Sequence, residues 1–131
     1  MKKLVVFPIL LFTVLTLFSQ APVTKTYSGT SAEIQFESIT LDLGTMNLGE
    51  VKELSYTFTN IGKKPLILDD VIISCDCTEI DYPKAPTMPG QSGKIKVKYT
   101  ATSAGTINKW ATVLSNAETD RVILKLKGKV I

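Results

Sequence analysis

Lys94-Ile95-Lys96-Val97-Lys98-Tyr99 sets three apolar side chains between three lysines. A repeat of two residues is the repeat of an extended strand, so Ile95, Val97 and Tyr99 share one face and the lysines share the other. One face belongs in a core and the other in water. Leu54, Tyr56 and Phe58 repeat this logic against Ser55 and Thr57, ahead of the turn Asn60-Ile61-Gly62-Lys63-Lys64-Pro65. Near the end of the chain, Val122, Leu124 and Leu126 face inward while Lys125 and Lys127 face outward.

A further strand runs from Ile107 to Leu114, carries Trp110 and stops at Ser115-Asn116. Segments near 34–43 and 66–73 add to the count. Gly, Pro and Asn clusters separate these stretches at roughly ten-residue intervals, and no stretch carries a helical period. Together they predict an all-β domain, an immunoglobulin-like antiparallel β-sandwich of about seven strands.

The first residues have a different texture. Residues 1–21 comprise a basic start (Lys2, Lys3), an apolar run from Leu4 to Phe18 and the small-residue stretch Ser19-Gln20-Ala21, the pattern of a signal peptide. A membrane-spanning helix needs about 20 apolar residues; this run has 15 and contains Pro8. The expectation is therefore export with cleavage near Ala21, no stable membrane insertion afterwards, and a periplasmic or secreted (extracellular) product. No cysteine near the run offers a site for lipid attachment. Residues 22–32 are small and polar and read as a flexible leader, which leaves 33–131 as one small sandwich domain.

Charge narrows the partners. Beyond residue 21 the chain holds 13 basic and 12 acidic residues, without the basic excess a nucleic-acid binder keeps. The row Lys94, Lys96, Lys98 reads as a solvated face that also discourages edge-to-edge pairing. Asp69, Asp70, Asp76, Glu79 and Asp81 form a loose acidic group, but their spacing is neither that of a calcium loop nor that of a glycosidase carboxylate pair. With no histidine anywhere, Ser-His and Cys-His catalysis are ruled out.

What remains is sulfur. Cys75 and Cys77 are the only cysteines and stand one residue apart in Ser74-Cys75-Asp76-Cys77-Thr78. Alternation places Val71, Ile73, Cys75 and Cys77 on one side of an extended segment. Residues two apart in such a segment have Cα atoms nearly 7 Å from each other, so a disulfide needs a local bend and is a labile one. Four readings stay open: two inert packed thiols, a local disulfide formed in an oxidising compartment, a Cu(I) site, or a redox pair. Zinc lacks two further ligands, and thioredoxin-type chemistry needs another spacing and a βαβ context.

Leu41-Asp42-Leu43-Gly44, Gly49, Phe58-Thr59-Asn60-Ile61-Gly62, Pro65-Leu66-Ile67, Ser74-Cys75-Asp76-Cys77-Thr78, Met88-Pro89-Gly90 with Gly93, and Ser115-Asn116 together resemble the bacterial family called domain of unknown function 1573. The resemblance covers about residues 36–131, and its most specific element is the Ser-Cys-x-Cys-Thr segment. That family usually has Gly between the cysteines; this chain has Asp76. The resemblance implies an immunoglobulin-like sandwich, found in exported proteins of bacteria and related to Hydin-type and major sperm protein-like domains, and it marks Cys75 and Cys77 without bringing a reaction. The expected function is a non-catalytic binding or structural module of the cell envelope, without cofactor or metal, whose partner is a protein or another envelope component. The alternative is a thiol-redox or Cu(I)-binding factor acting through Cys75 and Cys77.

Overall fold

Eight strands and no helix make up residues 31–131, which the computed structural model describes. The signal-peptide reading of 1–21, and the leader reading of 22–32 up to residue 30, lie outside the described residues. In chain order the strands are β1 (Ile34–Phe36), β2 (Thr40–Met46), β3 (Val51–Asn60), β4 (Leu68–Ile73), β5 (Thr78–Asp81), β6 (Ser92–Thr100), β7 (Gly105–Ser115) and β8 (Arg121–Val130). Hydrogen bonding sorts them into a first sheet, β1-β3-β6-β5, and a second, β2-β8-β7-β4. β2 runs parallel to β8, and every other pair is antiparallel.

Alternation put the core where period-two reasoning requires. Ile95, Val97 and Tyr99 of β6 are buried and Lys94, Lys96 and Lys98 exposed. Tyr56 and Phe58 come from β3, Ile107, Ala111 and Val113 from β7, and Leu124, Leu126 and Val130 from β8; all are buried between the layers. The Phe36 and Phe58 rings meet at 6.0 Å between centroids, within the usual range for aromatic pairs.

Two stretches depart from the sequence reading. The expected strand near 34–43 is two strands in opposite sheets. Glu37–Ile39 carries the chain from one layer to the other, with the Ser38 hydroxyl donating to the Thr40 carbonyl at 2.7 Å. In β2 the register shifts between Asp42 and Thr45. Gly44 supplies the positive φ of +68° that this bulge needs, and the Asp42 Oδ1 accepts its N–H at 2.7 Å. The bulge turns both Leu43 and Met46, three residues apart, into the core.

The second departure is at the cysteines. β4 ends at Ile73 and β5 begins at Thr78, so Ser74–Cys77 is a turn and not the extended line that alternation projected. β4 belongs to the second sheet and β5 to the first. Four residues therefore cross the sandwich, which no straight strand achieves.

Asn60 gathers the loops at one end of the sandwich. Its side chain is fully buried: Nδ2 donates to the carbonyls of Lys64 (2.7 Å) and Thr87 (2.9 Å), and Oδ1 accepts from the N–H of Gly62 (2.9 Å) and Glu33 (3.4 Å). Gly62 lies so close to the backbone of Ser31, Ala32 and Glu33 that a Cβ there would collide with it. Asn116 does similar work nearby, accepting from Ile67 N–H at 2.7 Å and donating to the Pro65 carbonyl at 3.0 Å.

Candidate functional site: the outer face of the second sheet

The cysteines form a corner. Cys75 and Cys77 sit at disulfide distance with Cα atoms 5.3 Å apart, inside the range a relaxed bridge spans, because the turn supplies the bend. Cys77 N–H points at Cys75 Sγ (3.1 Å), and the Cys75 and Cys77 carbonyls accept from Thr78 (3.3 Å) and Thr100 (3.0 Å). Asp76 is exposed and, like every non-glycine residue described, has negative φ, so it fits this turn without the left-handed backbone that glycine would permit. Both cysteines are half-buried, and Cys77 packs against the core.

Ser74 links this corner to the second sheet. Its Oγ accepts the Trp110 N–H at 3.0 Å and its own N–H donates to the Trp110 carbonyl at 3.1 Å. Past that point β4 leaves β7. The sheet narrows from four strands to three beside Trp110, which explains how the chain's only tryptophan remains 54% exposed.

Trp110 faces outward from β7 with Asn108 and Thr112, opposite Lys125, Lys127 and Ile123 of β8 respectively. Ile72 of β4 pairs with Thr112 and is exposed, as is Ile123. Lys125, Lys127 and Lys129 thus form a row along β8 beside an aromatic and aliphatic patch, and an open depression of about 970 Å³ lies over it, lined by Trp110, these lysines, Asn108, Thr106 and Asp42 among others.

The two lysine rows differ in their neighbours. In the first sheet, Lys98 stands between Glu53 and Glu79, and Lys96 pairs with Asp81; Lys98 Nζ lies 3.6 Å from Glu79 Oε2. That row is compensated. In the second sheet the cross-strand partners are Thr40 and Trp110 for Lys125, Asp42 and Asn108 for Lys127, and Thr45 and Thr106 for Lys129. Asp42 is the one carboxylate among them, and one of its oxygens already accepts the Gly44 N–H.

In the sequence, the Lys94–Lys98 row, the acidic group and the cysteines stand out. The structure disperses the acidic group over β4, the corner and β5, matches Lys96 and Lys98 of the lysine row with acids while Lys94 pairs with Thr57, and places the cysteines in a corner. The face carrying Trp110 and Lys129 does not stand out in the sequence. Its signal is the alternation Asn108, Trp110, Thr112 read against Lys125, Lys127, Lys129, which becomes visible once β7 and β8 are paired as a hairpin.

A family profile described as "Protein of unknown function (DUF1573)" matches residues 34–130. This chain belongs to the DUF1573 family. No curated protein matches the DUF1573 chain. Solved structures of similar architecture include a protein of unknown function from Porphyromonas gingivalis W83, at 18% identity and TM-score 0.68, covering 82% of this chain and 51% of that one. PapD-like domain 7 of human CEP192, an ASH/PapD-like domain, superposes at 11% identity and TM-score 0.63 over 86% of this chain and 95% of that one. The Vibrio cholerae VesB protease aligns at 15% identity and TM-score 0.63, over 74% of this chain and 32% of the protease. At such identities the likeness is one of fold: an immunoglobulin-like, PapD-like sandwich. This DUF1573 chain spans about half the length of the Porphyromonas protein.

Proposed function

We propose that this DUF1573 domain is a non-catalytic binding module of an exported envelope protein, and that it binds through the outer face of its second sheet. The observation that carries the reading is the half-exposed Trp110 beside exposed Ile72 and Ile123 and a lysine row short of counter-charge. Exposed aromatic and aliphatic groups rimmed by polar ones are the makings of an interaction site. Export is supported by the residues 1–21 pattern. The absence of histidine from the whole chain disfavours the commonest acid–base machinery.

Sheet edges offer a partner less. β1 is three residues long and β5 four, while β2 carries a bulge and β4 an irregularity between Leu68 and Asp70. Short and bulged edges are how sandwiches resist strand addition. The cysteine pair draws its support as a corner clip, since its turn joins the two sheets and anchors Ser74 on Trp110.

The test is cell fractionation of the full chain carrying a C-terminal tag, with intact mass of the product. Expected is a chain shortened near residue 21 in the envelope fraction, and release of a folded Trp110→Ala variant into the soluble exocytoplasmic pool. A full-length cytoplasmic product, or retention unaltered by Trp110→Ala, would count against the proposal.

A further inference from the structure

We infer that the outer face of the second sheet takes an acidic polysaccharide, a glycan chain bearing carboxylates at intervals; this inference rests on the binding-module reading above. Three features lead there. The first is charge. Residues 31–131 hold 12 Lys or Arg and 12 Asp or Glu, so any cationic character is local, and the row Lys125, Lys127, Lys129 has a single carboxylate, Asp42, among its cross-strand partners, with Lys109 lining the same depression. Residues two apart along a strand repeat at about 7 Å, so the row lays three ammonium groups along about 14 Å of one line. An extended polyanion can follow such a line; one small anion would use a fraction of it.

The second feature is chemical mixture. Trp110 offers a flat apolar surface, half open to solvent, of the kind against which the C–H face of a pyranose ring packs. Thr106 and Asn108, on the same strand face and opposite Lys129 and Lys127, present a hydroxyl and an amide that can both donate and accept. Sugar hydroxyls need such two-way partners, whereas a phosphodiester backbone offers acceptors.

The third is shape. The lysines, Trp110, Thr106 and Asn108 line an open depression. An open depression admits a chain from solvent, while a flat bilayer would touch its rims. A single-stranded nucleic acid also follows grooves, but it stacks on several aromatic rings, and Trp110 is the aromatic residue on this face among the described strands.

Trp110 is also the only tryptophan in the chain, so its fluorescence reports on this face alone. The purified protein is titrated with polygalacturonate, with neutral dextran, with phosphatidylglycerol vesicles and with oligothymidylate, at low and at 0.5 M salt. Expected is a saturable emission change with polygalacturonate that weakens at least tenfold at high salt, is absent with dextran, and weakens at least tenfold in K125Q/K127Q/K129Q. The matched variant K94Q/K96Q/K98Q should bind as the parent does, and Trp110→Ala should lose affinity by calorimetry while keeping its circular dichroism. Saturable binding of vesicles or oligothymidylate through the same three lysines, without binding of polygalacturonate, overturns the glycan assignment and leaves the binding face standing. Equal loss in the two lysine triples overturns the face itself, and no response to any of the four probes overturns the inference.

Discussion

At the scale of single residues, Asn60 and Tyr56 show how much of this fold hangs on polar atoms inside it. All four hydrogen bonds of the Asn60 amide end on backbone groups, so Asn60→Ala takes a partner from three buried groups, of Glu33, Gly62 and Thr87, and from the part-buried Lys64 carbonyl. A loss of about 3 kcal/mol is expected from that mechanism, read as a lower urea midpoint at unchanged slope. Asn60→Asp should lose a similar amount, because a carboxylate cannot donate to the Lys64 and Thr87 carbonyls. In the sequence Asn60 reads as a turn residue; its burial is not legible, since Glu33 and Thr87 each lie 27 positions away. Tyr56 was legible as core, but its hydroxyl was not. It reaches across the sandwich to the Lys125 carbonyl, and burial, opposed by the Leu41 backbone, pushes its pKa from 10.0 up to about 12. The folded protein thus holds this proton more tightly than the unfolded chain does. The resulting stabilisation is intact below pH 10 and drains away as pH rises from 10 to about 12. Denaturant midpoints across that window should fall more steeply for the parent than for Tyr56→Phe, which at pH 7 should cost about 1 kcal/mol for the lost hydrogen bond.

At the scale of elements, strands whose two faces differ in polarity were legible, as was the turn after Asn60 that carries the chain from β3 to β4, whereas two other changes of sheet were not. β6 and β8 are written in alternating Lys and apolar residues. The crossing at Glu37–Ile39 and the corner at Ser74–Cys77 obey tertiary demands: each must leave one layer and start pairing in the other within three or four residues. The corner explains why the two cysteines stand one residue apart, since a turn brings their Cα atoms to 5.3 Å where a strand would not. The loop so closed is very short, and its effect on the unfolded chain is worth roughly 1.5 kcal/mol at most. Cys75→Ser with Cys77→Ser should therefore fold, with a stability loss no larger than that by urea titration. The amide exchange that quickens should be at Trp110 and Thr78, whose N–H groups bond to Ser74 and Cys75. A loss several times greater would mean that the corner carries core packing through Cys77 as well as holding a turn.

At the scale of the whole molecule, the two outer faces carry lysine rows of the same length with opposite electrostatic surroundings, and this asymmetry has a measurable consequence for stability. Unit charges about 7 Å apart in water repel by about 0.6 kcal/mol before screening. Along β6 that repulsion is offset by Glu53, Glu79 and Asp81 in register with Lys98 and Lys96. Along β8 it is offset by Asp42 alone. Replacing Lys125, Lys127 and Lys129 together with Gln should then raise unfolding free energy by about 0.5 to 1 kcal/mol at 10 mM salt, where the screening length is about 30 Å. In 1 M salt, where it shrinks to about 3 Å, the gain should disappear. Urea is the suitable denaturant, since guanidinium would itself screen the charges. Replacing Lys94, Lys96 and Lys98 should instead leave three acids without their cross-strand partners and lower stability slightly at low salt, with the opposite salt response. Neither row can be told from the other in the sequence, because compensation is a property of strand order, and strand order here places acids on both sides of β6. A surface that keeps repelling charges together, on the same face as an exposed tryptophan, gives up stability that its own chain could have recovered with one more acid on β7. Such a loss is retained where function depends on the charges, so opposite salt dependences of the two triples would tie the stability cost to the face proposed for binding.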